Sequence, residues 1–236
     1  AYFTHQDADI AAEITRHAPL GYAVATHSMS LPDDEKAVIV ADVDYLIVFP
    51  GRVSEAVLRA GTGVRLIQLV SAGFEHMPLD LCAELGIPVA NNGGTNSTDV
   101  AEHTIALILA SYRRMVELDR KMRVDPSLEV PVARSTYTIA GKTVGIVGLG
   151  NIGVRVARLL SAFGAEVIYA DAAPEDMVRD TCLGRRRLPL EELLAAADVV
   201  TLHVPLAPST DRLIGAPELE RMKPSAILVN TCRGRV

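Results

Sequence analysis

Apolar residues along this chain fall in short runs separated by stretches at helical spacing, and the two alternate almost throughout. In the first part, Asp7 to His17 has the spacing of a helix, with Ile10 and Ile14 on one face. Tyr22 to Thr26 reads as a strand. Pro32 to Val40 reads as a helix with proline near its start. Asp44 to Val48 is a buried strand closed by Pro50-Gly51, and Ser54 caps a helix from Glu55 to Ala60. Arg65 to Val70 is a strand, Leu79 to Leu85 a helix ended by Gly86, and Ile87 to Ala90 a short strand. Such alternation predicts a parallel sheet with helices on both faces.

Asn91 to Asn96 is polar and contains glycine, so it reads as a loop. From Ser97 the spacing predicts one long helix reaching Arg123, with Val100, Thr104, Leu107, Ile108 and Met115 turned inward. We place a domain boundary here, giving residues 1–98 and 99–236. Val124 to Tyr137, with Pro126 and Pro131, is an extended connection. Next come a strand over Lys142 to Val147, a helix over Val154 to Phe163 with Val156, Leu159, Leu160 and Phe163 on one side, and a strand over Ala165 to Ala170. Beyond them, the pattern predicts helices over Glu175–Thr181, Leu190–Ala196 and Ala216–Met222. Strands are expected near Arg187, over Asp198–Leu202 and over Ala226–Val229.

Between the first two strands of this second half lies Gly148-Leu149-Gly150-Asn151-Ile152-Gly153, and Asp171 ends the second strand. Strand, G-x-G-x-x-G, helix, strand and acid together form the dinucleotide-binding fingerprint. Gly148 permits the tight turn, Gly150 lets a pyrophosphate approach the backbone, and Gly153 lets the helix lie close to the sheet. The helix start near Asn151 offers N–H groups and a positive dipole end to phosphates. Asp171 accepts from the adenosine ribose hydroxyls and repels a 2′-phosphate, which favours NAD over NADP.

Composition narrows the function. A net charge of −6 argues against a nucleic-acid surface. The one dense basic cluster, Arg185-Arg186-Arg187, reads as a solvated edge. Cys82, Cys182 and Cys232 lack metal spacing and are expected to be free thiols in a reducing compartment, hence the cytoplasm. No apolar run approaches a membrane span, and no membrane partner is expected.

In parallel sheets ligands bind beyond the carboxyl ends of the strands. His203-Val204-Pro205-Leu206 and Asn230-Thr231-Cys232-Arg233-Gly234 both fall on that edge. An arginine there can hold a carboxylate through two parallel hydrogen bonds and stabilise charge developing on a carbonyl oxygen. Elsewhere such a residue would be a surface ion pair; at this edge we favour function.

With Val100-Ala101-Glu102-His103, Gly148–Gly153, His203–Leu206 and Asn230–Gly234 in this order, the chain resembles the D-isomer-specific 2-hydroxyacid dehydrogenases. The resemblance implies two doubly wound α/β domains: a flavodoxin-like substrate domain and a Rossmann domain that binds NAD. It implies hydride transfer between the nicotinamide and C2 of a small D-2-hydroxy acid or 2-keto acid, in a cleft that closes on the substrate. Arg233 matches the family's substrate-binding, carbonyl-polarising arginine. Ser71, Ala72 and Gly73 resemble a loop whose backbone amides hold the substrate carboxylate, or form an ordinary strand-ending turn. Asn96 matches a position near the substrate and is equally a turn or N-cap residue. Val100 and Thr104 resemble nicotinamide contacts and could equally be helix core. His203, Val204, Thr231 and Cys232 fall at the cofactor, and Pro205 on its adenine side. His103 is expected to be packed or exposed rather than catalytic, and His76 to be a loop residue at the surface. The long helix resembles a dimer-forming one, which implies a homodimer.

One part of the family pattern falls outside the sequence. The family's proton donor is a histidine paired with a glutamate, both after the arginine motif, and neither is present. The sequence is therefore expected to be either part of a longer protein or a truncated product, with the nucleotide domain ending after its fifth strand and the substrate domain without its returning helix. Two other activities stay open: an NAD-responsive binding module of the corepressor kind, and a formate or phosphite dehydrogenase.

Overall fold

The computed structural model describes residues 1–5, 8–49, 52–125, 136–174 and 185–236. The expected helix over 175–181, the Pro50-Gly51 stop, Cys182 and most of the connection from 124 to 137 lie outside these. The chain divides into two compact units, Ala1–Thr95 and Asn96–Val236.

The first unit is a five-stranded parallel sheet of β1 (Tyr2–Thr4), β2 (Thr26–Ser28), β3 (Tyr45–Phe49), β4 (Leu66–Leu69) and β5 (Val89–Ala90), in the order β2-β1-β3-β4-β5. This is the flavodoxin-like order. Four helices connect the strands: α1 (Ala8–Arg16), α2 (Asp33–Val40), α3 (Glu55–Ala60) and α4 (Leu79–Glu84). Capping of α3 follows expectation, with Ser54 Oγ accepting from Val57 N at 3.4 Å.

Two features of this unit differ from the sequence reading. Helix α1 turns Ala11 inward and leaves Ile10 exposed, and β2 begins where the expected strand ends. Strands β3 and β4 alternate between buried and half-buried residues. Leu46, Val48, Ile67 and Leu69 are fully buried, while Tyr45, Ile47 and Leu66 on the other face are only partly covered. In β1 the residues of both faces are buried, Tyr2 and Thr4 on one and Phe3 on the other.

The second unit begins with α5 (Ser97–Tyr112) and α6 (Met115–Val124). Its sheet contains β6 (Thr143–Val147), β7 (Glu166–Ala170), β8 (Arg186–Arg187), β9 (Val199–Leu202) and β10 (Ile227–Asn230), joined by α7 (Asn151–Ala162), α8 (Leu190–Ala196) and α9 (Ala216–Arg221). The order β10-β9-β6-β7-β8 is that of a Rossmann sheet, with the reversal between β6 and β9. Here the three central strands, β6, β7 and β9, are buried on both faces. Val144, Ile146, Tyr169 and Val199 join one cluster with α5 and α7, and Ile168, Val200 and Leu202 join another with α8.

The single long helix expected from Ser97 is broken. Arg114 adopts left-handed φ of 51°, Arg113 caps α5, and the Tyr112 carbonyl accepts from Tyr137 N at 3.0 Å. Arg114 Nε donates to Glu117 Oε2 at 2.6 Å, anchoring the start of α6. The break rotates Met115 out of the core, where it is exposed; Tyr112 is buried instead. On α7, Val156 and Leu160 are buried as expected, but Phe163 caps the helix and is exposed.

Register aligns the strand ends of the second sheet. Val147 pairs with Ala170 on one side and Leu202 on the other, and Leu202 pairs with Asn230. The last residues of four strands therefore stand in one row.

Candidate active site

Gly148, Asp171, His203 and Thr231 each follow directly on the last residue of a strand in that row. The chain leaves β6 through Gly148, whose φ of +92° suits glycine. A Cβ on Gly148 would meet the His203 carbonyl oxygen at 2.7 Å, so the turn lies directly against the end of β9. A Cβ on Gly153 would stand 2.1 Å from the Gly148 carbonyl oxygen, which explains why helix and strand can approach only here without a side chain. In front of Gly150 the space is open, with nothing within 4 Å of its would-be Cβ.

Helix α7 starts at Asn151 with no side-chain cap and no acidic residue in its first turn. Ile152 is half-buried beside the first of the two clusters. An uncapped helix start facing open space fits an anionic group such as a pyrophosphate. These residues therefore fit a dinucleotide.

Asp171 is half-buried and holds the turn together. Its Oδ2 accepts from Leu149 N at 2.6 Å and its Oδ1 from Ala173 N at 2.8 Å. A carboxylate offers about four lone-pair sites, so acceptor capacity remains for ribose hydroxyls. Asp171 lines a cavity of about 550 Å³ together with Val204, Arg187, Leu188 and Leu213. Val204 lines this cavity, whereas Pro205 is exposed.

On the other side of the row a second cavity, of about 520 Å³, is lined by Asn96, Val100, His103, Thr231, Cys232 and Arg233, among others. The turn carrying Arg233 is organised by Asn230. Asn230 Oδ1 accepts from Cys232 N at 2.9 Å, and its Nδ2 donates to the Arg233 carbonyl at 2.9 Å. Arg233 is exposed at the cavity wall, and its Nη1 donates to the Cys232 carbonyl at 2.8 Å. Asn96 precedes α5 without capping it through its side chain. Val100 is half-buried and reaches the cavity, while Thr104 is fully buried one turn below. His103 is exposed on the same wall.

A chain of hydroxyls and one imidazole ties these elements together. Thr104 Oγ1 donates to the Val100 carbonyl at 2.8 Å and lies 3.3 Å from Thr231 Oγ1. Thr231 Oγ1 is 3.5 Å from His203 Nδ1, and His203 Nε2 is 3.0 Å from Thr201 Oγ1. Burial pushes the His203 imidazole down to about 4, so it stays neutral at ordinary pH. The ring thus has a threonine hydroxyl beside each of its nitrogens.

In the first unit, Ser71, Ala72 and Gly73 follow β4. Ser71 Oγ donates to the Gly73 carbonyl at 2.8 Å, Asn91 Nδ2 to the Ala72 carbonyl at 2.7 Å, and Asn92 N to the Ser71 carbonyl at 3.1 Å. The carbonyls of the loop are thus tied down. Its amides have no intramolecular acceptor among the described residues. That division of labour suits a loop that presents N–H groups to an anion.

Three contributors escaped the sequence reading. Asn230 was legible in principle, since Asn at a strand end commonly folds its side chain onto the backbone two residues on. Thr201 carries no such signal. Arg187 is not part of a solvated edge: it is half-buried, and its Nη2 donates to the Asp171 and Ala173 carbonyls at 2.5 and 2.9 Å. Among the described residues no cluster of side chains suited to a metal is present, and no helix is long and apolar enough to cross a membrane.

Comparison with known proteins places this geometry. A family model described as "D-isomer specific 2-hydroxyacid dehydrogenase, NAD binding domain" matches residues 105–236. The chain is 37% identical over 212 residues to the glyoxylate reductase of Korarchaeum cryptofilum, covering 87% of this chain and 63% of the relative. It is 35% identical over 219 residues to D-3-phosphoglycerate dehydrogenase 2 of Saccharomyces cerevisiae, covering 92% of this chain and 45% of the relative. Among solved structures, the TT0316 protein from Thermus thermophilus matches with a TM-score of 0.81 at 32% identity, over 99% of this chain and 74% of that one. The D-lactate dehydrogenase of Aquifex aeolicus, solved with NAD and lactic acid, matches with a TM-score of 0.78 at 27% identity, over 99% and 69% respectively. This chain spans at most 63% of the length of these two curated relatives.

Proposed function

The chain belongs to the D-isomer-specific 2-hydroxyacid dehydrogenases, and on that premise we propose that its protein interconverts a small D-2-hydroxy acid and the corresponding 2-keto acid with NAD. One observation carries the reading: the glycine turn, Asp171 and the Asn230-ordered Arg233 turn line up along one row of strand ends, with a cavity on either side. When bound, NAD supplies or accepts the hydride exchanged with C2 of the substrate.

The residues divide the remaining work. Gly148–Gly153 and the start of α7 receive the pyrophosphate, Asp171 the adenosine ribose, and Val204 the adenine side. Val100 flanks the nicotinamide, and Thr104 supports it from below. Arg233 binds the carboxylate and polarises the C2 oxygen, with Asn230 fixing its turn. The Ser71–Gly73 amides are assigned to an anionic group of the substrate, and Asn96 to the substrate. His203 and Thr231 hold the turn in place and move no proton.

We further assign the protein to the cytoplasm, supported by Cys82 and Cys232 as free thiols. We also assign it to a homodimer, supported by the exposed Met115, Val116, Met122 and Val124 of α6.

The test is oxidation of NADH by the full-length protein with glyoxylate, pyruvate and hydroxypyruvate, beside reduction of NAD with formate and phosphite. Turnover of a keto acid is expected. Arg233→Ala should lower kcat/KM by roughly 10²- to 10³-fold, the scale of losing one transition-state donor. NADH binding without turnover of any keto acid would turn the reading toward a binding module, and turnover of formate or phosphite alone would replace the substrate class.

A further inference from the structure

The third member of the basic run does more than solvate an edge. Arg187 lies on β8, paired with Tyr169 of β7, so it stands beside the strand that ends at the ribose-reading acid. Its Nη2 is fixed by the Asp171 and Ala173 carbonyls at 2.5 and 2.9 Å. Its Nε and Nη1 have no acceptor among the described residues. Asp171 and Arg187 line the same cavity of about 550 Å³, along with Ala172, Ser209 and Thr210.

This pairing changes the electrostatics of the ribose subsite. A lone carboxylate after the second strand rejects a 2′-phosphate because both are negative. Here the carboxylate already accepts two backbone N–H groups, and a permanently charged guanidinium is clamped to the same turn. The planar fork of arginine matches phosphate oxygens. An arginine next to the ribose-binding acid is also the kind of residue that accommodates a 2′-phosphate.

Resting on the dinucleotide reading of the second unit, we propose that Arg187 is a specificity residue that admits the 2′-phosphate of NADP. The cavity then takes both dinucleotides, with only a modest preference for NAD. Asp171 supplies the preference and Arg187 limits it.

The experiment measures binding, not turnover. The full-length protein is titrated with NADH and NADPH by nicotinamide fluorescence, and 2′,5′-ADP is tested for displacement of NADH. In the wild type, NADPH should bind within about tenfold of NADH, and 2′,5′-ADP should compete. Arg187→Met should weaken NADPH and 2′,5′-ADP by at least about tenfold more than it weakens NADH, as expected for losing a charge hydrogen-bonded to the phosphate. Arg187→Lys, which keeps the charge, should fall between the two, and Asp171→Ala should tighten NADPH relative to NADH.

Equal weakening of both dinucleotides by Arg187→Met would overturn the proposal, because it would make Arg187 a brace for the turn and nothing else. NADH binding by a wild type that takes up neither NADPH nor 2′,5′-ADP would overturn it too. Failure to bind NADH at all would instead overturn the dinucleotide reading on which the proposal rests.

Discussion

The two sheets of this protein share five parallel strands and the same strand–helix alternation, yet they bury their strands differently. In the first, β1 is buried on both faces but β3 and β4 alternate buried and half-buried residues; in the second, β6, β7 and β9 are buried on both faces. Their ligand-facing loops differ in the same sense. The first unit offers the Ser71–Gly73 amides from a surface turn whose carbonyls are tied back by Asn91 and Asn92. The second builds its site from backbone groups in close contact, with Gly148 against His203 and Gly153 against Gly148. A loop held by a few polar bonds tolerates change by losing affinity. A turn packed backbone to backbone has nowhere to move, so change there unfolds it.

The largest contrast should come from the same substitution placed in each loop. Gly153→Val would force a side chain into a backbone oxygen 2.1 Å from the would-be Cβ. The cost should reach or exceed the roughly 3 kcal/mol at the upper end of ordinary overpacking. Thermal unfolding should show the second unit melting early, with NADH binding lost. A variant that kept its melting temperature would break the claim that this contact is rigid.

Acid should also discriminate between the units. The His203 imidazole is pushed down to about 4 from its ordinary 6.5 by burial, so between those values the unfolded chain binds a proton that the folded one does not. Stability from this group is therefore complete above about pH 6.5 and falls away as pH drops toward 4. At about 1.4 kcal/mol per unit, the total loss is on the order of 3 kcal/mol. Calorimetry across that range should show the second unit losing stability with a slope that His203→Gln flattens. An unchanged slope in that variant would assign the acid sensitivity elsewhere.

The smallest effect belongs to the first loop. Gly73→Val should crowd the amides and raise KM for the keto acid by about tenfold, equivalent to about 1.4 kcal/mol. The dissociation constant of NADH should stay unchanged. Equal damage to both would mean that the two loops do not differ as described.

Much of this was readable from local sequence. The fingerprint from Lys142 to Asp171 depends on neighbours in the chain: β-branched runs make strands, glycines make the turn, and an acid closes the second strand. Ser54 as a cap and the helix Leu190–Ala196 follow from equally local rules. The same holds for the membership that Asn230–Gly234 and His203–Leu206 announce.

What the tertiary structure alone decided concerns residues whose partners lie far along the chain. Arg113 and Arg114 have good helix propensity, and only the bond from Tyr137 to Tyr112, the left-handed Arg114 and its contact with Glu117 show the break between α5 and α6. His203 looks like a titratable histidine until Thr201 and Thr231 are seen to enclose it. Arg187 looks like one of three surface charges until pairing of β8 with β7 brings it to the turn after Asp171. Periodicity records which face of an element is apolar; charge and hydrogen-bonding partners depend on which strands become neighbours, and strand order is a property of the folded sheet.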